Sequence, residues 1–131
     1  MSSTQTPGAL LLDSNILVWL DNGSQRLSAP VLKQLQTSPQ VYASAVSAWE
    51  LCIKQSLGAL KLSRQVSQLI REENLTELPV TAQHGEAVRH LPHHHRDPFD
   101  RLLIAQASVE NLILVTADKA FLRYGIPIIL V

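Results

Sequence analysis

The sequence predicts an α/β fold in which a central parallel β-sheet is flanked by α-helices, and three observations support this. Short continuous apolar runs at Ala9–Leu12 and Leu112–Val115 are suited to strands that are buried on both faces. Helical segments with recognisable N-terminal signals separate the apolar runs. A chain of 131 residues can form one domain without disulfides or a structural metal. We expect a single domain over 9–131, preceded by a flexible tail over 1–8.

Local signals assign the other elements along the chain. Asp97 is a candidate N-cap for a helix that begins at Pro98. Ser47, with Glu50 three residues later, matches a capping box that opens a helix ending near Gly58. The remaining helices are expected at Ile16–Leu20, Ser28–Gln36, Ser63–Glu73, Thr81–His90 and Ala117–Arg123, and the Pro98 helix is expected to end near Glu110. Further extended segments are expected at Val41–Ala43, Leu75–Val80 and Pro127–Val131. One sequence does not determine the order of the strands.

Composition limits the compartment and the partners. Cys52 is the only cysteine, so no intramolecular disulfide can form, and we expect it to be a small buried apolar residue. The polar segment 1–8 does not resemble a signal peptide, and no apolar stretch approaches the roughly 20 residues that span a bilayer. We therefore expect a cytoplasmic protein without a membrane partner. The formal net charge is zero, which neither supports nor excludes a nucleic-acid partner.

Two carboxylates are expected at the carboxyl ends of strands. Asp13 ends the first strand, and Asp118 lies just beyond Leu112–Val115. Ligands of open parallel sheets bind beyond the carboxyl ends of the strands, so both acids lie where chemistry is expected. Each acid also precedes a helix and could simply be its N-cap. At this point both interpretations stay open for both residues.

Two further carboxylates lie in the first turns of helices. Asp100 has apolar neighbours three, four and seven positions later, which places it on an apolar stripe. Stabilisation of the helix dipole could explain it, but Asp97 can already supply that. A functional role is therefore favoured for Asp100. For Glu50 the alternatives are balanced, because it could complete the capping box or pair with Lys54.

Taken together, these acids indicate a divalent metal site. Three or four carboxylates in one cleft would repel one another unless a cation held them. Oxygen ligands of this kind suit Mg²⁺ or Mn²⁺, and one or two such ions can hydrolyse a phosphodiester. Ser14 and Thr116 could orient a carboxylate or hold a metal-bound water, although local turn and cap hydrogen bonding is the favoured explanation for both. The supporting residues of the predicted site are Ser14, Asn15, Asp97 and Thr116.

A basic segment precedes and overlaps the helix that carries Asp100. With the four acids set aside, the 11 Lys and Arg residues outnumber the remaining acids, so a metal-loaded face would not repel phosphate. The candidate contacts for a phosphate backbone are Lys54, His94, His95, Arg96 and Arg101. Because aromatic residues are few, base stacking is not expected to be the main mode of recognition. The residues expected in the core or against a partner are Trp49, Phe99, Phe121 and Tyr124.

Four blocks of the chain, spanning about Leu10 to Tyr124, resemble the PIN-domain family and its VapC-like toxins. The blocks are Leu11-Leu12-Asp13-Ser14-Asn15, the segment Ser44 to Leu51 with Lys54 and Gly58-Ala59-Leu60, the segment His94 to Ala107, and Leu114-Val115-Thr116-Ala117-Asp118. The third block is the most specific. Many close relatives have Thr-His in place of Ser14-Asn15, and an apolar residue in place of His93, which bears on substrate contacts but not on the four acids.

The resemblance implies a metal-dependent endoribonuclease that is the toxin of a type II toxin–antitoxin pair. Its metal-binding and catalytic acids would be Asp13, Glu50, Asp100 and Asp118. The implied cofactor is Mg²⁺ or Mn²⁺, as one or two ions. The implied partners are RNA as substrate, a cognate antitoxin and a second copy of the chain, with DNA reached only through the antitoxin.

Three other interpretations remain at the level of sequence. A PIN-domain nuclease could process RNA without being a toxin, or the domain could be a non-catalytic scaffold, although all four acids are present. An aspartyl phosphatase of the haloacid-dehalogenase type also begins with an Asp after a strand. That chemistry requires a second acid two residues later, and Asn15 occupies that position.

Overall fold

A computed structural model of the chain describes residues 8–94 and 97–131. It confirms the predicted α/β architecture, because the described residues form one parallel sheet of five strands in the order β3-β2-β1-β4-β5. The strands are β1 (Leu10–Leu12), β2 (Val41–Ser44), β3 (Thr76–Leu78), β4 (Ile113–Thr116) and β5 (Ile128–Leu130). All three residues of β1 are buried, which accounts for its uninterrupted apolar sequence.

Helices cover both faces of the sheet. They are α1 (Ser14–Asn22), α2 (Ala29–Thr37), α3 (Ala45–Ser56), α4 (Val66–Glu72), α5 (Ala82–Val88), α6 (Pro98–Glu110) and a 3₁₀ helix, Lys119–Tyr124. Leu10 and Leu12 pack in the hydrophobic cluster on one side of the sheet, while Leu11 packs in the cluster on the other side. None of the described helices combines the length and apolarity needed to cross a bilayer.

The helix starts test the capping predictions. Asp97 caps α6 as predicted, because its Oδ1 accepts a hydrogen bond from the backbone N–H of Phe99 (2.8 Å), and Pro98 is the first helical residue. The predicted capping box at Ser47 is wrong. The cap of α3 is Ser44, whose Oγ accepts from the N–H of Val46 at 3.1 Å, so Ser47 lies buried inside the helix.

Two other local predictions are also wrong. The helix expected from Ser63 begins only at Val66, since the N–H and hydroxyl of Ser63 both donate to Asp21 (2.7 and 2.8 Å) and hold this segment against α1. Cys52 is exposed and not buried. The buried side of α3 comprises other positions, among them Glu50 and Leu51, so Cys52 faces away from the core. Residues 1–7 of the predicted tail lie outside the described residues.

Candidate active site

The strand order creates a crevice between β1 and β4. From β1 the chain adds β2 and β3 on one side and β4 and β5 on the other, so the winding reverses at this pair. Asp13 directly follows β1, and its N–H donates to the carbonyl of Val115 in β4 (2.9 Å). Asp118 lies two residues beyond Thr116, the last residue of β4. The structure therefore places both acids at the topological switch point, where open α/β sheets bind ligands.

Two hydroxyl groups hold the Asp13 carboxylate. Thr116 Oγ1 donates to Asp13 Oδ2 at 2.7 Å, and Ser14 Oγ donates to Oδ1 at 3.3 Å. Asp13 is only 5% exposed, and burial raises its pKa, although the bonds from Thr116 and Ser14 oppose that shift. Asp13 occupies the N-cap position of α1 without a side-chain cap bond. Thr116 and Ser14 thus orient this carboxylate, and Thr116 Oγ1 also accepts a hydrogen bond from the N–H of Asp118 (3.0 Å), so the local turn bond expected for it is present as well.

The other two acids approach from α3 and α6. Glu50 is 7% exposed, and its Oε2 pairs with Lys54 Nζ at 3.0 Å, as predicted for residues one helical turn apart. Asp100 is half-buried in the first turn of α6. Burial, together with the negative charges of Asp97, Asp13, Glu50 and Asp118, raises the pKa of Asp100 to about 7. The other three predicted acids therefore all act electrostatically on Asp100, and Glu50 also acts on Asp13.

The site acids interact electrostatically, but among the described residues their side chains do not form a preassembled metal site. Within residues 8–94 and 97–131, no three Asp, Glu, His or Cys side chains converge into a group that could hold a metal. Electrostatic influence reaches farther than the roughly 2.1 Å of a Mg²⁺–oxygen bond, so the two observations agree. Three of the acids have another partner: Thr116 for Asp13, Lys54 for Glu50 and the N–H of Ala120 (2.9 Å) for Asp118.

The raised pKa of Asp100 makes the stability of the metal-free protein pH-dependent. Its pKa is 3.8 in an unperturbed carboxyl and about 7 in the fold. The protonated form therefore stabilises the fold below about pH 4, and this contribution is lost as the pH rises through 7. We expect Asp100→Asn to raise the melting temperature of the metal-free protein by several degrees near pH 8, with the gain vanishing toward pH 4.

A matched control has the opposite sign. Burial raises the pKa of Asp21, but hydrogen bonds from Ser63 and Arg64 outweigh it and hold the pKa below its usual value. Asp21→Asn should therefore destabilise the protein near pH 8, and this loss should shrink as the pH falls through the folded pKa. Thermal melts followed by circular dichroism across this pH range measure both variants. An Asp100→Asn melting curve identical to wild type near pH 8 would contradict the described environment of Asp100.

The structure shows a buried polar network that the sequence analysis missed. Ser44, which caps α3, hydrogen-bonds through its hydroxyl to the Gln106 side chain on α6. Gln106 Nε2 also contacts Nδ1 of the fully buried His84 (3.3 Å), and His84 Nε2 bonds Glu110 Oε2 at 2.7 Å. The network joins the helices that carry Glu50 and Asp100. The only local signal for this network is a histidine at the N3 position of α5. Its side chain accepts a hydrogen bond from the backbone N–H of Thr81, the N-cap residue.

Of the described candidates for RNA contact, Arg101 is buried, whereas His94 and Lys54 reach solvent. Arg101 is only 9% exposed and donates to the carbonyls of Pro92 (2.8 Å) and Val88 (3.1 Å), so it holds the segment after α5 and does not face solvent as an RNA contact would. His94 is exposed, with its ring 5.1 Å from that of Tyr124. Lys54 is about half-exposed beside Glu50. His95 and Arg96 lie outside the described residues, and Asn15 is exposed after Ser14.

The aromatic residues expected in the core or against a partner also differ in their exposure. Phe121 is buried in the core. Trp49 is 62% exposed and meets Phe99 edge to face, with ring centroids 5.2 Å apart.

The family is decided by a match to the PIN domain model, which covers residues 10–127. The chain belongs to the PIN domain family. PIN domains are nucleases, and the matched range includes all four acids described above. No curated protein sequence shows significant similarity to this PIN domain.

Solved structures share the fold of this PIN domain at low sequence identity. VapBC2 from Rickettsia felis, bound to a DNA fragment from its promoter, aligns with a TM-score of 0.70 and 17% identity over 92% of this chain and 97% of that one. DNA-bound VapBC from Salmonella typhimurium gives 0.67 and 18% over 93% and 97%. A toxin–antitoxin complex from Klebsiella pneumoniae gives 0.64 and 20% over 92% and 95%. At these identities the likeness establishes the fold.

Proposed function

We propose that this PIN domain is a Mg²⁺- or Mn²⁺-dependent endoribonuclease that acts as the toxin of a type II toxin–antitoxin pair. The observation that carries the proposal is that carboxylates from three other segments, Asp13, Glu50 and Asp118, act electrostatically on Asp100. A half-buried Asp100 whose pKa is raised to about 7 by burial and neighbouring acids indicates a site with an excess of negative charge. A donor set of carboxylate oxygens fits a hard divalent cation.

The acids would divide the work with their neighbours. Asp13, Glu50, Asp100 and Asp118 would hold one or two ions, which supply Lewis acidity for the attack of water on phosphorus and for departure of the 3′-oxygen. The hydroxyls of Thr116 and Ser14 fix the Asp13 carboxylate in one orientation. Hydrolysis consumes one water and leaves a 3′-hydroxyl and a 5′-phosphate.

The partners follow from the same proposal. The structural neighbours are described as VapBC and toxin–antitoxin complexes, two of them on DNA, which supports an antitoxin partner here and DNA contact through that antitoxin. A homodimer remains part of the proposal. Lys54 and His94 are described side chains that could guide the RNA backbone, together with His95 and Arg96.

The test is to sequence RNA ends after brief expression of the wild type and of Asp100→Asn. We expect new 5′-phosphate ends at defined sites only with the wild type, together with growth arrest that the product of a neighbouring gene relieves. The same ends in both cultures would refute the nuclease proposal. Specific RNA ends without growth arrest would favour RNA processing over a toxin role. If the wild type bound no Mn²⁺, the result would favour a non-catalytic scaffold.

A further inference from the structure

An exposed aromatic pair lies beside the acid site. The indole of Trp49 belongs to a residue that is 62% exposed, although most tryptophans are largely buried. Its ring contacts that of Phe99 at a centroid distance of 5.2 Å and an interplanar angle of 66°. Phe99 in turn packs against the core cluster that contains Leu11 and Val46. The pair is therefore anchored on the core side and open to solvent on the Trp49 side.

The pair connects the same two helices as two of the acids. Trp49 directly precedes Glu50 on α3, and Phe99 directly precedes Asp100 on α6. A nucleobase is joined to its phosphate through a single ribose, so a base that flanks a phosphodiester held at the acids could reach residues that adjoin them on the same helices. A second exposed apolar residue, Leu57, lies at the C-terminal end of α3; it is 76% exposed but adjoins no site acid.

We propose that Trp49, supported by Phe99, stacks against one nucleobase next to the phosphodiester that is cut. This proposal rests on the proposed ribonuclease function. An aromatic face binds any base with little preference, so the contact would position the strand and contribute affinity without reading its sequence. The edge-to-face contact with Phe99 restricts the indole before RNA arrives, which lowers the entropy lost on binding. The alternative occupant of this surface is a protein partner.

The test compares cleavage of a short single-stranded RNA that spans one mapped cut site by wild type, Trp49→Ala, Trp49→Tyr and Leu57→Ala. We expect Trp49→Ala to raise KM about tenfold while kcat stays within about twofold. Trp49→Tyr should restore most of the affinity, and Leu57→Ala should behave as wild type. With an abasic residue in place of the stacked base, wild type and Trp49→Ala should have equal KM.

A second measurement does not depend on Trp49→Ala folding. In an Asp100→Asn, Trp19→Phe background the RNA stays intact and Trp49 is the only tryptophan. RNA binding should then quench its fluorescence, and the abasic RNA should quench it less. An unchanged KM for Trp49→Ala, or equal quenching by both RNAs, would overturn the proposal. So would loss of dimer or antitoxin binding with KM unchanged, which would assign Trp49 to a protein interface. If the wild type cuts no RNA, the proposed function itself fails. If the wild type cuts RNA and Trp49→Ala cuts it with the same KM, only the stacking proposal fails.

Discussion

Asp100→Asn is expected to reduce the rate of RNA cleavage by roughly a thousandfold, because a metal ligand and its charge contribute several kcal/mol to the transition state. Asp100 lies in the first turn of α6, where Asp97 already caps the helix, so its removal leaves the helix start intact. The carboxyl also carries an unfavourable charge at neutral pH. The variant should therefore be inactive and yet more stable than wild type without metal. That combination separates a functional defect from an unfolded protein.

The matched control is Glu86→Gln, which neutralises an exposed carboxylate on α5. It should retain the wild-type rate, while Asp13→Asn should be as inactive as Asp100→Asn. Single-turnover cleavage of labelled RNA with excess Mn²⁺ measures all three. Full activity of Asp100→Asn would show that the carboxylate does not take part in the reaction.

Arg101→Ala is expected to lower the free energy of unfolding by about 3 kcal/mol, and the melting temperature by about 10 °C. The guanidinium is 9% exposed and bonds the carbonyls of Pro92 and Val88 at 2.8 and 3.1 Å, with a longer contact to Leu91 at 3.5 Å. Bonds from a charged donor are stronger than neutral ones, and its loss also removes the packing of the side chain. Urea unfolding followed by circular dichroism measures the effect.

Arg89→Ala is the control for charge alone, because Arg89 is an exposed residue at the end of α5 near the same segment. Its stability should stay within about 0.5 kcal/mol of wild type. If Arg101→Ala were as stable as Arg89→Ala and instead weakened RNA binding, Arg101 would be the RNA contact that its sequence position first indicated.

The sequence predicted the elements whose signals are local. Asp97 followed by Pro98 defined the start of α6, and the buried apolar runs placed β1 and β4 to within about a residue. Asp100 was a candidate for a similar reason, since a carboxylate on an apolar helical stripe is unusual without a partner or ligand, whereas an N-cap role explained Asp13 and Asp118 equally well.

Features that depend on tertiary contacts could not be obtained in this way. The Ser47–Glu50 spacing matches a capping box, but β2 continues to Ser44 and this serine caps the helix first. Ser63 resembles the N-cap of a helix, yet its N–H and hydroxyl both donate to Asp21, which lies 42 residues earlier. The role of Arg101 and the link from Ser44 through Gln106 to His84 require partners from distant segments. Strand order depends on such contacts throughout.

Calorimetric titration of the metal-free protein with Mn²⁺ near pH 8 tests the central claim most directly, because it measures whether the four acids together bind a divalent cation. We predict saturable binding of one or two ions to the wild type and to Glu86→Gln, and loss of at least one of these sites in Asp13→Asn and Asp100→Asn. Equal Mn²⁺ binding by wild type and Asp100→Asn, or no binding by either, would contradict the account.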